Sequence, residues 1–579
     1  MTKTLNKAKK IHLMYNKVLT GAVLAASLAV ISMPAAAQQA GGVNGRIVQS
    51  DGSALAGVVV EARSPVLPGV RTATSGSNGR YQLPLLPPGQ YELTFINPDG
   101  SVQKREAFVL LQQKIKVDVA FSGPTDEVVV VGKKIYVDTG KASLKATLGS
   151  AALQGVPIGQ DYRDIQKLIP GVQYSEDKVR GPSAGGSGQD NSYQFDGVDV
   201  SLPLFGTLAA EPSTHDIDQV SIIRGGATAI GFNRTGGFLI NTISKRGTNE
   251  FHGELSYKIQ ASGLTADRKK SAASVDFNEQ KEWITASLGG PVVKDKLFLY
   301  GSYYRPTITQ KQRENSVGAV PDFKSTRNEY FGKVTFAPTQ NILLDGSFRT
   351  SKRSEKNRGV GGFDAPSLSV GDEADQDIAI VEGSWVVDDK SSFNFKFTDY
   401  KLDTGSRPDT IFDVPVTFGG ALDVNNLDQL GRFSVPQPIA GNDAFNAAIQ
   451  PLIDRYGFSD GGVQTGGGRV GGASNINRQD FNRTSIEGGY DRTFDAGSTT
   501  HDVHIGYKYQ EIKEDLERTS NGFGRISVLG PGSLAADGVT PIFFEARVFQ
   551  TGIVGANGDT LVPRSIKSRV VQQSFEIND

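Results

Sequence analysis

The chain has 579 residues, 61 Lys+Arg against 62 Asp+Glu, and a formal net charge of -1. That balance excludes the basic face a nucleic-acid binder needs, and the absence of cysteine excludes disulfide scaffolds, thiolate zinc sites, iron–sulfur clusters and thiol nucleophiles. The 68 Gly, 30 Phe and 17 Tyr point to turns between aromatic-rich strands, and 38% hydrophobic residues is too few for a multi-helix membrane protein but suits strands apolar on one face.

The N-terminus reads as an export signal. Lys3, Lys7, Lys9, Lys10 and Lys17 precede an uncharged, mostly apolar stretch from Leu19 to Met33, and Ala35 and Ala37 frame a small-residue cleavage site. This order predicts a secretory signal peptide over residues 1–37. The apolar stretch falls short of the ~20 residues a spanning helix needs. No later segment offers ~18 uncharged apolar residues, so no transmembrane helix is expected after it.

Residues 40–122 predict a β-sandwich of immunoglobulin type. Short β-branched runs such as Val58-Val59-Val60 recur near every ten residues, separated by the turn dipeptides Asp51-Gly52 and Asn78-Gly79. Gly45, Leu55-Ala56-Gly57-Val58, Gly79-Arg80-Tyr81 and Leu86-Pro87-Pro88-Gly89-Gln90-Tyr91 give this segment its resemblance to the carboxypeptidase regulatory-like domain. A peptidase reading fails on chemistry. The segment has no histidine, no H-E-x-x-H occurs in the chain, and zinc needs converging His and carboxylate ligands. No enzymatic activity, cofactor or metal site is expected.

Residues 123–134 link two apparent domains and contain Asp126, Glu127, Val128, Val129, Val130 and Val131. Valine favours the extended state, and an extended peptide can add to another protein's sheet edge. On composition the same peptide could equally be a last sandwich strand or a first strand of the next domain. Its position and acidic-then-valine pattern resemble the TonB box of energy-coupled outer-membrane receptors, with Val131 where threonine is common.

Residues 135–248 predict an α+β domain. Asp161 to Leu168 reads as a short helix stopped by Pro170-Gly171. Asn191 to Val200 reads as strand, Asp196-Gly197 turn and strand, and Val220 to Arg224 as a further strand. In order, these stretches resemble the plug of TonB-dependent receptors, particularly the Oar-like group that carries a sandwich in front. The resemblance maps the family's motifs onto Arg180-Gly181, onto Asp196-Gly197-Val198, and onto Gly236-Gly237 with Asn241 and Lys245. Three residues separate Gly237 from Asn241, where the family more often has two.

From 249 to 579 the chain reads as an antiparallel transmembrane β-barrel. Phe251 to Gln260 alternates Phe, Gly, Leu, Tyr and Ile with His, Glu, Ser, Lys and Gln. Phe393-Asn394-Phe395-Lys396-Phe397 and Asp502 to Tyr509 repeat the pattern. Short connections near 291–295, 338–341, 388–391 and 495–499 alternate with long ones at about 263–281, 306–327, 352–376, 403–479 and 511–565, the outer-membrane arrangement. Gly466 to Gly471 contains G-x-G-x-x-G without strand-to-helix context and reads as a flexible loop tip. His501 and His504 fall on opposite strand faces and make poor co-ligands.

The expected fold is mainly β: sandwich, plug, then a partial barrel. About ten strands are readable, and ten give a backbone radius near 10 Å, too narrow for a ~115-residue plug with a radius of gyration near 13 Å. The sequence is therefore expected to be an N-terminal fragment of a ~22-strand barrel. The resemblance implies a TonB-dependent receptor in a Gram-negative outer membrane, with the sandwich and TonB box in the periplasm. Its partners would be the TonB complex, outer-membrane lipid and a large external ligand (peptide, glycan or metal chelate), with no nucleic acid. The alternative is an outer-membrane-anchored adhesin or a protein-export or assembly factor that binds through its sandwich.

Overall fold

A computed structural model describes residues 40–111, 114–121, 128–129, 144–149, 153, 162–168, 171–173, 175, 182–183, 187–202, 208, 213–224, 236–266, 274–416, 421–496, 499–530, 532–533, 537–538, 542–548, 553–554, 560–562 and 565–578. The expected signal peptide with Ala35 and Ala37, the pair Arg180-Gly181, and four members of the valine peptide (Asp126, Glu127, Val130 and Val131) lie outside the described residues.

The first domain packs two sheets face to face. Strands β1 (Gly41–Gln49), β2 (Val59–Arg63), β3 (Arg71–Thr74), β4 (Arg80–Leu86), β5 (Gly89–Ile96), β6 (Val102–Val109), β7 (Lys114–Lys116) and β8 (Val119–Phe121) form it. One sheet runs β4-β1-β7, with β8 also on β1; the other runs β3-β2-β5-β6. Period-two alternation sends Ile47, Val60, Leu83, Tyr91, Leu93, Phe95 and Val109 into the space between them, where each is fully buried. Tyr91 satisfies its hydroxyl there by donating to the Pro87 carbonyl at 2.7 Å. A two-residue strand, β9 (Val128–Val129), extends the second sheet by pairing parallel with Lys104 and Arg105 of β6.

The stretch expected to be a plug, called the plug below, forms a sheet of order β10-β13-β14-β11-β12, built from β10 (Leu144–Gly149), β11 (Ser192–Phe195), β12 (Val198–Asp199), β13 (Ile217–Arg224) and β14 (Phe238–Ser244). The helix expected after Asp161 is present as a 3-10 segment, Tyr162–Leu168. Every residue of β14 is buried. The plug core (Phe195, Val220, Ile222, Phe238 and Ile240) is continuous with Tyr300, Phe331, Ile378, Tyr400 and Phe481 of the surrounding wall.

That wall is one antiparallel sheet. Its strands are β15 (His252–Gln260), β16 (Asp276–Val293), β17 (Leu297–Asn315) with the short β18 (Gly318–Val320) at its tip, β19 (Phe323–Thr339), β20 (Ile342–Arg358), β21 (Val370–Asp388) and β22 (Ser391–Pro408). The long connection after β22 contains α1 (Leu427–Leu430), β23 (Arg432–Ser434), α2 (Asp443–Tyr456), β24 (Phe458–Asp460), β25 (Val463–Thr465) and β26 (Arg469–Gly471). The wall resumes with β27 (Asn475–Ala496) and β28 (Thr499–Ser520). A second long connection carries β29 (Arg525–Val528), β30 (Phe544–Arg547), β31 (Ile553–Val554) and β32 (Thr560–Val562) before the last strand, β33 (Ile566–Asn578). Each wall strand pairs with the next from β15 to β33, and β15 and β33 do not pair with each other.

The wall is inverted relative to a soluble sheet. Along β22, Phe393, Phe395 and Phe397 stand 38–47% exposed, while Ser392, Asn394, Lys396 and Thr398 between them are buried. Outward apolar and inward polar positions are what lipid outside and a polar lumen require. Among the described residues no helix is long and apolar enough to cross a membrane.

Two expectations need correction at the loop end. The stretches 306–327 and 352–376 were expected to be long loops, but β17 continues to Asn315 and β20 to Arg358. Wall strands reach 22 residues against the ~9–11 that cross a bilayer, so the sheet projects well past the membrane. The stretch read as a flexible loop tip is also ordered: Arg469–Gly471 is strand β26, held in a folded cap. Its four-stranded sheet β26-β23-β29-β30 draws strands from both long connections. Leu427, Phe433, Ile449, Ile453 and Ile526 form a separate core beneath it. Alternation over three- and four-residue strands is too short to read from a sequence, which is why the cap was missed.

Val381, opposite Phe397 in the β21–β22 register, is 46% exposed on the lipid-facing side. Replacing Val381 with Arg is expected to destabilise the barrel by up to about 2–4 kcal/mol, read as a lower denaturant midpoint in detergent or lipid; Val381→Leu should leave the midpoint unchanged.

Candidate functional site: the seam between plug and wall

Asp196 and Gly197 take φ of 46° and 73°, the left-handed pair that a two-residue hairpin between β11 and β12 demands. The hairpin tip is then tied to β14. The Gly197 amide donates to Asn241 Oδ1 at 3.1 Å. The Asp196 carboxylate accepts from the Ser244 amide at 2.8 Å and the Ser244 hydroxyl at 2.5 Å. Val198 is buried behind them. The structure thus brings together four of the motif residues: Asp196, Gly197, Val198 and Asn241.

The others sit elsewhere. Gly237 leaves no room for a side chain, since a Cβ there would lie 2.3 Å from Asn191 Oδ1, and its amide donates to the Asp190 carbonyl at 3.1 Å. Gly236 is its exposed neighbour. Lys245 contributes its backbone amide to the Asp216 carbonyl at 2.7 Å.

Wall side chains that sequence reasoning did not single out complete the site. Lys333 Nζ, on β19, approaches Asp196 Oδ2 at 3.8 Å and the Ser244 hydroxyl at 3.2 Å. Lys396, on β22, donates to the Asp196 carbonyl and pairs with Glu382 at 3.3 Å. Arg483, on β27, reaches the Asp199 carbonyl and, at 3.2 Å, the Ser201 carbonyl. Arg349, on β20, is the largest fully buried side chain described. It pairs with Glu329 of the wall and, at 3.2 Å, with Asp216 of the plug. Its guanidinium lies 4.2 Å from the Phe195 ring centre and 4.6 Å from that of Phe331. Glu329 also accepts the Ser213 amide at 3.1 Å. Their signal in the sequence was charge at the inward positions of alternating strands; nothing local says which plug atom each would meet.

Burial alone would push the Asp196 carboxyl up, but Lys333, the Ser244 donors and Lys396 outweigh it and hold it below the ordinary carboxylate range. The seam is a set of buried charges whose counter-charges belong to a different domain. Breaking such pairs by removing one member is costly, whereas moving both members into water together is not. His504, by contrast, bridges Asp491 at 2.8 Å and Glu576 at 3.0 Å within the wall, and His501 stacks on Phe494 at 5.4 Å. The two histidines occupy different surroundings, as their spacing implied. Among the described residues no group of three or more His, Asp or Glu could hold a metal.

The sandwich meets the opposite end of the wall from the cap. Lys114 pairs with Asp502 at 3.1 Å, Gln82 accepts from Thr493 at 3.2 Å, and the Pro65 carbonyl accepts from the Asn249 amide at 3.3 Å. These wall residues flank the β27–β28 turn and the start of β15, so the sandwich lies at the short-turn end.

Comparison with known proteins agrees with this layout. Residues 42–122 match the carboxypeptidase regulatory-like domain and residues 243–357 the outer membrane beta barrel domain. The chain is homologous to the TonB-dependent transporter Oar of Myxococcus xanthus, being 29% identical over 326 residues, which cover 53% of this chain and 30% of that protein. It is 23% identical over 269 residues to a probable TonB-dependent siderophore receptor PirA of Acinetobacter baumannii, covering 41% and 34% of the two chains. The chain thus spans about a third of the length of these curated relatives. Among solved structures, the outer membrane transporter YddB of Escherichia coli aligns with a TM-score of 0.49 at 12% identity over 75% of this chain and 54% of that one. The unliganded ferric citrate transporter FecA aligns with a TM-score of 0.47 at 12% identity over 76% and 53%. The barrel domain and the transporter homology place the chain in the outer membrane of a Gram-negative bacterium.

Two outcomes test the seam. Arg349→Met leaves Asp216 buried without its cation and Glu329 with Arg327 alone, at 3.8 Å, so plug seating is expected to weaken by about 3–5 kcal/mol, read as faster limited proteolysis of the plug in the folded barrel. For pH, the Asp196 contribution is full above the ordinary carboxylate value of about 3.9 and is lost as pH falls through its lower folded value. Proteolytic protection should hold from pH 7 to 5 and decline only below about pH 4, a dependence that Asp196→Asn should flatten.

Proposed function

We propose that the protein is a TonB-dependent outer-membrane transporter, which moves a large external ligand across the outer membrane with energy relayed from the inner membrane. One observation carries the reading: a folded domain packs on the polar face of a lipid-facing sheet and is held there by ion pairs that can be exchanged for water. A plug that only closed a pore would be better served by apolar contacts. A plug that must leave and return needs a seam whose two sides are each soluble.

The outer membrane has no ATP of its own, so the force has to arrive through a protein. Asp126 to Val131 are the residues proposed to receive it, by adding as a strand to the TonB sheet. They precede β10 in the chain, so a pull on this peptide is passed along the backbone to that strand. Arg180-Gly181 and the Gly236-Gly237, Asn241 and Lys245 set are proposed as framework of the plug rather than ligand contacts. The sandwich and the valine peptide lie on the periplasmic side, and the cap outside. Among the described residues β15 and β33 form the two edges of the wall.

Deleting Asp126 to Val131 from the full-length protein separates transport from anchoring. Capture of the purified periplasmic domain of TonB by detergent-solubilised receptor is expected to fall at least tenfold, with surface display unchanged. Equal capture by the wild type and the deletion would overturn the assignment and favour the adhesin or assembly reading.

A further inference from the structure

The cap sheet has two unlike faces. Its register sets Phe433 beside Val470 and Ile526, and Ile526 beside Ala546, all turned to the cap core. Alternation then puts every neighbouring residue on the other face. Arg432 of β23 lies beside Arg525 of β29, and Arg525 lies beside Arg547 of β30. Ser434 and Ser527 stand next to them on the same face, with Arg469 opposite Ser434.

Three arginines in one row across three strands span about 10 Å at the ordinary strand spacing. Like charges directly opposite in a sheet destabilise it. Two of the four arginines on this face are neutralised: Arg469 makes a two-pronged contact with Asp364 at 2.6 and 2.5 Å, and Arg547 pairs with Glu545 at 3.1 Å. Among the described residues neither Arg432 nor Arg525 has a carboxylate within ion-pair distance, and Arg432 Nε is buried without a hydrogen-bond partner. Burial, and then repulsion from Arg525 and Arg469, lower the affinity of the Arg432 guanidinium for its proton and outweigh the attraction of Asp364, which is already engaged by Arg469. A solvated arginine face would not bury a donor or align its charges.

The geometry points to this row as a binding site for an oligo-anion, in which Arg432 and Arg525 offer planar forks to the carboxylate or phosphate oxygens of a small multivalent ligand and Arg547 joins them by exchanging its contact with Glu545. Guanidinium forks match both groups in two-pronged fashion, and the two serines add hydroxyl donors at the edge. The site is rigid in advance. The cap has its own core, α2 is capped by Asn442 through the Phe445 amide at 3.0 Å, and the Asp364–Arg469 contact ties the sheet to the connection between β20 and β21. A ligand held there would bridge strands from two separate long connections and relieve the repulsion between them. The inference deepens the transporter reading, on which its use to the cell rests, by naming the ligand chemistry. Binding itself needs no energy coupling.

The test is calorimetric titration of the full-length protein in detergent with citrate and with pyrophosphate, beside flotation with vesicles containing or lacking phosphatidylglycerol. Saturable binding of citrate or pyrophosphate, at least tenfold weaker in the R432Q/R525Q double variant and partly kept in R432K/R525K, supports a free ligand. Flotation that requires phosphatidylglycerol, with the same dependence on the two arginines, supports the site but assigns the anion to a lipid headgroup. R455Q, on exposed α2, should bind as the wild type does. Thermal midpoints guard against misfolding, since removing like charges should leave the cap as stable or more so. Equal binding by the wild type and R432Q/R525Q in every arm, or no binding in any, overturns the proposal. TonB capture is read separately, so failure here leaves the transport assignment standing.

Discussion

Everything in this molecule follows from where charge can be put when lipid lies outside. A strand wall that turns Phe393, Phe395 and Phe397 outward must turn Asn394, Lys396 and Thr398 inward. Lysines and arginines on the inner side are then cut off from bulk solvent once the lumen is filled. They need counter-charges, and the plug supplies many of them: the Asp196 carboxylate and carbonyl, the Asp199 and Ser201 carbonyls, and the Asp216 carboxylate. The plug is therefore part of the electrostatic solution of the wall as well as a stopper. Plug seating and wall stability are coupled through the same few side chains, and a force on one is felt by the other.

The two ends of the wall are managed differently. At the short-turn end the sandwich rests on the turns through polar contacts. At the other end the strands run on past the membrane and their connections fold into a cap with its own core. The cap turns what would be mobile loops into a fixed surface. Because its strands are short and come from two connections, the surface exists only when both are in place.

The sandwich was largely legible in the sequence because its signals are local: β-branched runs, Asp-Gly and Asn-Gly turns, and regular spacing. The Asp196-Gly197 hairpin was legible for the same reason, since its left-handed backbone restricts the residue types that fit. The wall was legible from period-two alternation. Its true strand lengths were not, because above the membrane both faces meet water and the alternation fades between Pro306 and Asn315 and between Lys352 and Arg358. Arg349, Lys333 and Lys396 were visible as inward charges but without their plug partners, since Asp216 and Asp196 lie well over a hundred residues away.

By itself, the sequence determined which face of the clearly alternating wall strands meets lipid and where the tight turns fall. These depend on neighbours within a few positions, and the periodicity of the chain records them. Only the tertiary structure decided which buried cation meets which plug oxygen, and that three arginines from two distant connections share one row. Those are matters of register between strands far apart in the chain, and register is set by packing the whole sheet around its plug.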